Sequence, residues 1–240
     1  MSIKKKELEQ IVSDALDEFY KRRINKLSGL KLKQTLRRKN PYLFRAIGTN
    51  DAAEIVEQIL TAYMSSSDEG IFGDAFFEPV AKAVSKGRAS TGEGVDITKE
   101  DGRCYKAIAV KSGPSVFNAQ SRRRQNQDFQ ALRSRLRKVQ MHFDAIVGYS
   151  YGRKISEAND TKIFRELSGQ AFWEELTGDE NFYLKILHAM REKPEKHRTQ
   201  YMIEWDKAKN RFAKDFMDDF CHEDGSIDWD KFLEFNSGTK

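Results

Sequence analysis

Cysteine is scarce in this sequence: the two present, Cys104 and Cys221, lie far apart, and no CxxC or Cys/His cluster exists. That argues against a zinc site and a disulfide framework and points to a reducing cytoplasm. The four histidines, His142, His188, His197 and His222, show no metal spacing. No apolar run approaches the roughly 20 residues of a bilayer span, so no membrane association is expected. The lysines of "MSIKKKELEQ" are followed by no apolar h-region, so no secretory signal is read there. "TGEG" lacks a following Lys-Ser/Thr, which removes a P-loop. No Ser-His-Asp arrangement, internal repeat or low-complexity tract is readable. "FCHEDGSIDWDKF" imitates a calcium loop but puts Phe220, His222 and Lys231 at ligand positions, which argues against calcium.

What is there is a polar, basic chain. Its 240 residues suit one large domain, or one domain with a helical appendage. Hydrophobic residues make up 39% and charged residues 33%, the balance of a water-exposed surface over an ample core. The net charge of +5 favours a polyanionic partner. The charge is grouped: Lys4–Lys6, Lys21–Arg23, Arg37–Lys39 and Arg122–Arg124.

Patterning predicts helices first. Ile11, Ala15, Leu16, Phe19, Ile24 and Leu27 form an apolar stripe over about 4–27, broken at Gly29. A short basic helix ends at Asn40-Pro41. Asp51 and Glu54 form a capping box for a helix to about Met64, and Ser67 can cap another through "IFGDAFFEPVAKAV". Two strands follow, "VDITKE" and "CYKAIAVK", joined by the glycine turn "DGR". Asn118 or Ser121 opens a helix to about Lys138, with Phe129, Leu132, Leu136 and Val139 on one face. "FDAIVGYSYG" and "KIFREL" read as strands, and the remainder as helices. The expected fold class is α/β, a mixed central β-sheet flanked by helices, with helical N- and C-terminal extensions. The expected division is a helical region over 1–64, a core over 65–169, and a helical region over 170–240 packed on that core.

The strand "CYKAIAVK" stops on Lys111, and "GVDI" puts Asp96 on or beside the preceding strand. An acid and a lysine so placed suit metal-dependent phosphodiester hydrolysis. That reaction needs a divalent ion on the phosphoryl oxygen, a deprotonated water, and charge relief on the leaving oxygen. Magnesium accepts hard oxygen ligands and keeps several waters, so two carboxylates and a backbone carbonyl suffice. A lysine beside the ion can orient the water and stabilise the developing charge. Ala109 and Lys111 share one strand face, and Lys106, Ile108 and Val110 the other; Asp96 is expected to reach the Ala109 side. Such sites normally carry a second acid two residues before the lysine, where Ala109 stands. A carboxylate must come from elsewhere. Glu78, among Phe76, Phe77, Pro79 and Val80, is the first candidate, since an acid in apolar company needs a partner. Asp128, beside Phe129, is the second.

Together, "SSSDEGIFGDAFFEP", "GVDI", "VKSGP" with Asn118 and Gln120 after it, "GQAFWEELTGDENFY" and "DGSIDW" resemble the type II restriction endonucleases of the PmeII/TdeIII-like group, within the PD-(D/E)XK nuclease superfamily. The resemblance runs from "LRRKNPYLFRA" to "FNSG". It implies a mixed sheet flanked by helices, Asp96 as the first acid, Lys111 as the lysine, and Glu78 as a middle acid moved to a neighbouring helix. Two departures stand out: Gly94 for the motif's proline, and Ala109 for its acid.

On this reading Glu78, Asp96 and the carbonyl of Val110 bind Mg2+, or Mn2+ in its place, and Lys111 orients the attacking water. The partner is double-stranded DNA, met by a homodimer matching a palindromic site. A cognate methyltransferase should belong to the same system without forming a stable complex. Expected DNA contacts are Arg37, Arg38, Lys39, Ser112, Asn118, Gln120, Arg122, Arg123 and Arg124. The plainer alternatives are a turn acid at Asp96, a solvated lysine at Lys111, an i,i+4 salt bridge between Glu78 and Lys82, and a solvated helix face at Arg122–Arg124. Two rival functions also stand: a non-catalytic DNA-binding relative, and a nuclease acting on free ends.

Overall fold

A computed structural model describes residues 3–90, 92–116, 118–191 and 193–239. Its sheet is built outward from the strand that ends on Lys111. In chain order the strands are β1 (Arg88–Ala89), β2 (Ile97–Asp101), β3 (Cys104–Lys111), β4 (His142–Tyr149) and β5 (Phe164–Ser168), lying side by side in that order. β2 and β3 are antiparallel, with Ile97 opposite Ile108, and the tight turn between them carries Gly102 at φ 58°. β3, β4 and β5 are parallel, with Ala109 opposite Val147 and Val147 opposite Glu166. Parallel neighbours need a crossover, usually helical; α6 (Ala119–Arg137) supplies it between β3 and β4. The expected mixed sheet flanked by helices is what forms.

The remaining helices are α1 (Lys5–Ser28), α2 (Leu32–Leu36), α3 (Pro41–Ala46), α4 (Ala52–Phe72), α5 (Glu78–Val84), α7 (Gln170–Thr177), α8 (Phe182–Met190), α9 (Lys193–Phe220) and α10 (Trp229–Ser237). Asp51 does cap α4, accepting from the Ala53 N–H at 2.8 Å. Glu54 does not reach back to complete the box; its carboxylate accepts from Gln58. The break expected near Met64, with a new start at Ser67, does not occur. α4 runs on to Phe72 and passes through a π turn, Gly73–Phe77, into α5. The serines lie inside the helix because neighbouring turns hold them there, against a weak local preference. At the far end of the predicted α6 stripe, Val139 lies beyond the helix and is exposed.

The chain falls into two compact units, Met1–Phe19 with Gly70–Pro194, and Tyr20–Glu69 with Glu195–Lys240. Each unit is thus assembled from two separate segments of the chain. In the first unit the period-two alternation of β3 separates two cores. Ile108 and Val110 join Ile97, Ile146 and Leu167, covered by Val12 and Leu16 of α1, Val80 and Val84 of α5, and Phe172 and Trp173 of α7. Ala107 and Ala109 join Val147, Tyr149 and Phe164 under Phe129 of α6. The second unit is helical, with Ile55, Ile59, Phe212, Phe216 and Phe232 in its core.

One buried charge organises the α6 side of the sheet. Glu166 on β5 is 2% exposed. Its carboxylate accepts from Tyr149 Oη (2.6 Å), Arg122 Nη1 (2.7 Å) and Ser156 Oγ (2.9 Å), and pairs with Lys154 (2.8 Å) and Lys162 (3.2 Å). Burial alone would raise its pKa; the hydrogen bonds from Lys154, Tyr149, Arg122 and Ser156 outweigh it and hold the carboxyl far below the usual range. A folded-state pKa below the unfolded one gives stability that is present above the ordinary carboxylate pKa and lost as pH falls through the folded value. Glu166→Gln leaves several cations facing a neutral group, so it should cost about 3 kcal/mol at neutral pH. In thermal melts the wild type should lose stability from about pH 4.3 downward, and the variant should show a smaller part of that acid dependence.

Candidate active site

Asp96 stands just before β2, where the chain is about to pair with β3. Its backbone N–H donates to the Ile108 carbonyl at 2.9 Å. Its Oδ2 accepts from the Val110 N–H at 2.7 Å. Main chain and side chain are thus both fastened to the last residues of β3. In a strand the N–H and C=O of one residue point to the same edge. The Val110 carbonyl is therefore directed towards the Asp96 edge. The Lys111 carbonyl points the other way and accepts from the Ser150 N–H at 2.9 Å.

Burial raises the Asp96 pKa; the Val110 N–H and the Lys111 ammonium pull it back, the Glu78 charge raises it, and Lys82 lowers it. The net direction is upward. The charges of Lys111, Glu78 and Lys82 thus act on Asp96, which puts these three side chains within electrostatic reach of it.

Glu78 arrives by way of the π turn. Its N–H bonds the Gly73 carbonyl five residues back. That wide turn takes one residue more than the α repeat, and such turns often mark functional sites. It shifts the facing of α5, so that Phe76 and Val80 enter the core while Glu78 stays half-buried at its margin. Gly73 permits the path: a Cβ there would lie 3.1 Å from the Ser112 Cβ, directly after Lys111. Glu78 also holds the i,i+4 ion pair anticipated for it, with Lys82 Nζ at 2.5 Å from Oε1. The plain and the functional readings of Glu78 thus coexist.

The Ala109 position itself has no room for a second acid. Ala109 is fully buried against Val95, Phe129, Val147 and Tyr149. A carboxylate there would sit in an apolar core without a counter-charge, at a cost of several kcal/mol. The acid comes instead from α5, which covers the Val110 face. Asp128, the other candidate, packs against Gly94; its Oδ2 would be 2.5 Å from a Cβ placed there. Gly94 has φ +71°, outside the reach of proline at about −65°. The departure from the motif's proline thus follows from a left-handed residue packed under Asp128, with its carbonyl held by Gln125.

The expected DNA contacts are scattered in character. Asn118 caps α6 by accepting from the Ser121 N–H at 2.8 Å. Gln120, Arg123 and Arg124 are exposed, and Arg124 reaches Glu93 at 3.4 Å. Arg122 turns inward to Glu166 and Tyr149. Ser112 is buried and its carbonyl accepts from the Tyr151 N–H at 3.3 Å. Gly113 is required there, because a Cβ would collide with the Tyr151 ring. In the second unit, Arg37 lies over the Phe235 ring at 5.9 Å, and the Lys39 carbonyl accepts from Asn236. Two residues escaped the sequence reading of the site. Lys82 carried no signal beyond its spacing from Glu78, and Glu166 none at all, since its partners come from distant segments.

Glu78, Asp96 and the Val110 carbonyl are hard oxygen donors, and the Glu78 charge helps to raise the Asp96 pKa. The set fits magnesium, which is commonly held by one or two carboxylates and keeps its waters. Among the described residues no group of three or more His, Cys, Asp or Glu could hold an ion, so the donor set stays at this minimum. No helix among them is long and apolar enough to cross a membrane.

A family model described as type II restriction endonuclease EcoO109I matches residues 6–198. No curated protein matches the sequence. The motif resemblance and this match agree at the level of type II restriction endonucleases. With a match over most of its length and the expected mixed sheet, the chain belongs to the type II restriction endonuclease EcoO109I family.

Proposed function

We propose that the protein is the nuclease of a type II restriction system that cuts double-stranded DNA at a specific sequence, using magnesium held by Glu78, Asp96 and the Val110 carbonyl, with manganese as a substitute. The observation that carries this reading is Asp96, bonded to the Val110 N–H and within electrostatic reach of Glu78 and Lys111. When bound, the ion supplies Lewis-acid polarisation of the phosphoryl oxygen and charge relief on the leaving oxygen. Lys111 orients the attacking water and offsets the charge that develops on the phosphoryl group. The Val110 N–H fixes the Asp96 carboxylate so that it needs no reorganisation during reaction. Exposed Arg123 and Arg124, with Gln120, suit phosphate and groove contacts. A homodimer is the oligomer that fits a palindromic site. A protecting methyltransferase, acting without stable complex formation, and residence in the cytoplasm complete the reading.

Plasmid cleavage with and without magnesium tests it. Glu78→Ala, Asp96→Ala and Lys111→Ala should each lower the cutting rate about 100-fold or more, with gel-shift binding retained. A chain that binds DNA and never cuts would instead be the non-catalytic relative. A chain that acts on linear DNA alone would be an end-dependent nuclease.

Stability gives a second check with an opposite sign from a structural ion pair. A folded-state pKa above the unfolded one means that the neutral form is favoured in the fold, and stability is lost as pH rises through the folded value. Asp96→Asn keeps an acceptor for the Val110 N–H and removes the penalised charge. In chelator at pH 7.5 it should melt about 2–4 °C above the wild type while failing to cut. A lower melting temperature would mark Asp96 as a structural residue.

Deleting the exposed Asp74 tests the π turn. With Asp74 removed, the Glu78 N–H would still meet the Gly73 carbonyl, now as an ordinary α bond, so Glu78 keeps its facing. Cutting, DNA binding and helical circular dichroism should persist, and a loss of cutting would mark the π turn itself as necessary.

A further inference from the structure

We propose that Lys82 is the built-in counter-ion of the site: its ammonium holds Glu78 until a divalent cation displaces it, and so it weakens metal binding in the absence of DNA. The proposal rests on the assignment of Glu78 and Asp96 as the carboxylates of the site.

The geometry begins with the Lys82 Nζ, 2.5 Å from Glu78 Oε1. An i,i+4 pair of this kind is ordinarily a surface contact worth a few tenths of a kcal/mol. This one is different in its surroundings. Its side chains are only 34% and 29% exposed. The Lys82 charge also acts on Asp96, across a separate segment of chain. Lys82 therefore touches Glu78 and lies within electrostatic reach of Asp96. Together Lys82 and Lys111 balance the two negative charges of Glu78 and Asp96.

A neutral cluster has little intrinsic pull on a cation. An arriving ion of charge +2 would meet Lys82 at the carboxylate it needs, and two cations cannot both remain on Glu78 at close range. Lys82 can leave. It lies near the C-terminal end of α5, is partly exposed, and has a flexible four-carbon stem. Its departure restores a net negative site, and it places a free ammonium beside a position suited to a DNA phosphate. Phosphate would then favour the displaced lysine, so that DNA and metal assist each other.

Calorimetric titration of the full-length protein with Mg2+ and with Mn2+, without DNA, tests this. Lys82→Met, close in length and uncharged, should bind either ion about tenfold more tightly. Lys82→Arg should bind as weakly as the wild type, since it keeps the charge. Circular dichroism identifies any variant that fails to fold, and Lys82→Gln then serves as the uncharged form. An affinity for Lys82→Met or Lys82→Gln equal to or weaker than the wild type overturns the proposal. If the wild type binds and Glu78→Gln and Asp96→Asn abolish binding, such a result leaves the assignment of the carboxylates standing. If Glu78→Gln and Asp96→Asn bind like the wild type, or no form binds, the proposal falls together with that assignment.

Discussion

The hydrogen bond from the Val110 N–H to Asp96 Oδ2 is the constraint on which the candidate site turns. A carboxylate at the entrance to a strand would ordinarily rotate into water. Here a main-chain donor of the neighbouring strand captures it, and the Asp96 N–H, bonded to Ile108, removes the remaining freedom. The same register that pairs β2 with β3 also aligns the end of β3 with β4. Asp96 and Lys111 are thereby parts of one hydrogen-bonded ladder. The sheet therefore fixes the main chain of both residues and the Asp96 carboxylate relative to one another.

With those two residues fixed, the face of the sheet decides where a second acid can stand. The Ala109 side is a closed apolar layer under Phe129. The Val110 side carries α5, whose margin is accessible. A helix offers an acid at such a margin only if its rotation is right, and the π turn sets that rotation. Gly73 lets the turn pass close to Ser112. Three local features that look unrelated in the sequence, a small strand residue, a glycine and an irregular helix, therefore describe one spatial solution.

Much of this was legible in the residues. The strand alternation of "CYKAIAVK" and its hairpin with "VDITKE" follow from period two and a glycine turn, and β2 and β3 form accordingly. The preference for Glu78 over Asp128 rests on its apolar neighbours; in the structure the Glu78 charge acts on Asp96, and Asp128 packs against Gly94. What escaped depended on contacts distant in sequence. The continuity of α4 through "SSSDEG" comes from the helical turns on either side, which local propensity at the serines does not register. The closure of the Ala109 face depends on what α6 fills. Glu166 gave no sign of burial, because the five groups that neutralise it come from α6, β4 and the segment before β5.

The inward turn of Arg122 has a consequence for how the protein meets a polyanion. Read in sequence, "SRRRQ" offers three adjacent cations. In space, the first is committed to Glu166 and Tyr149, and the next two face solvent. Each phosphate neutralised releases condensed counterions and steepens the dependence of log affinity on log salt by about 0.9. Any phosphate contact made by this helix would therefore carry the slope of a pair at most, while the first arginine acts as an anchor bolt between the helix and the sheet.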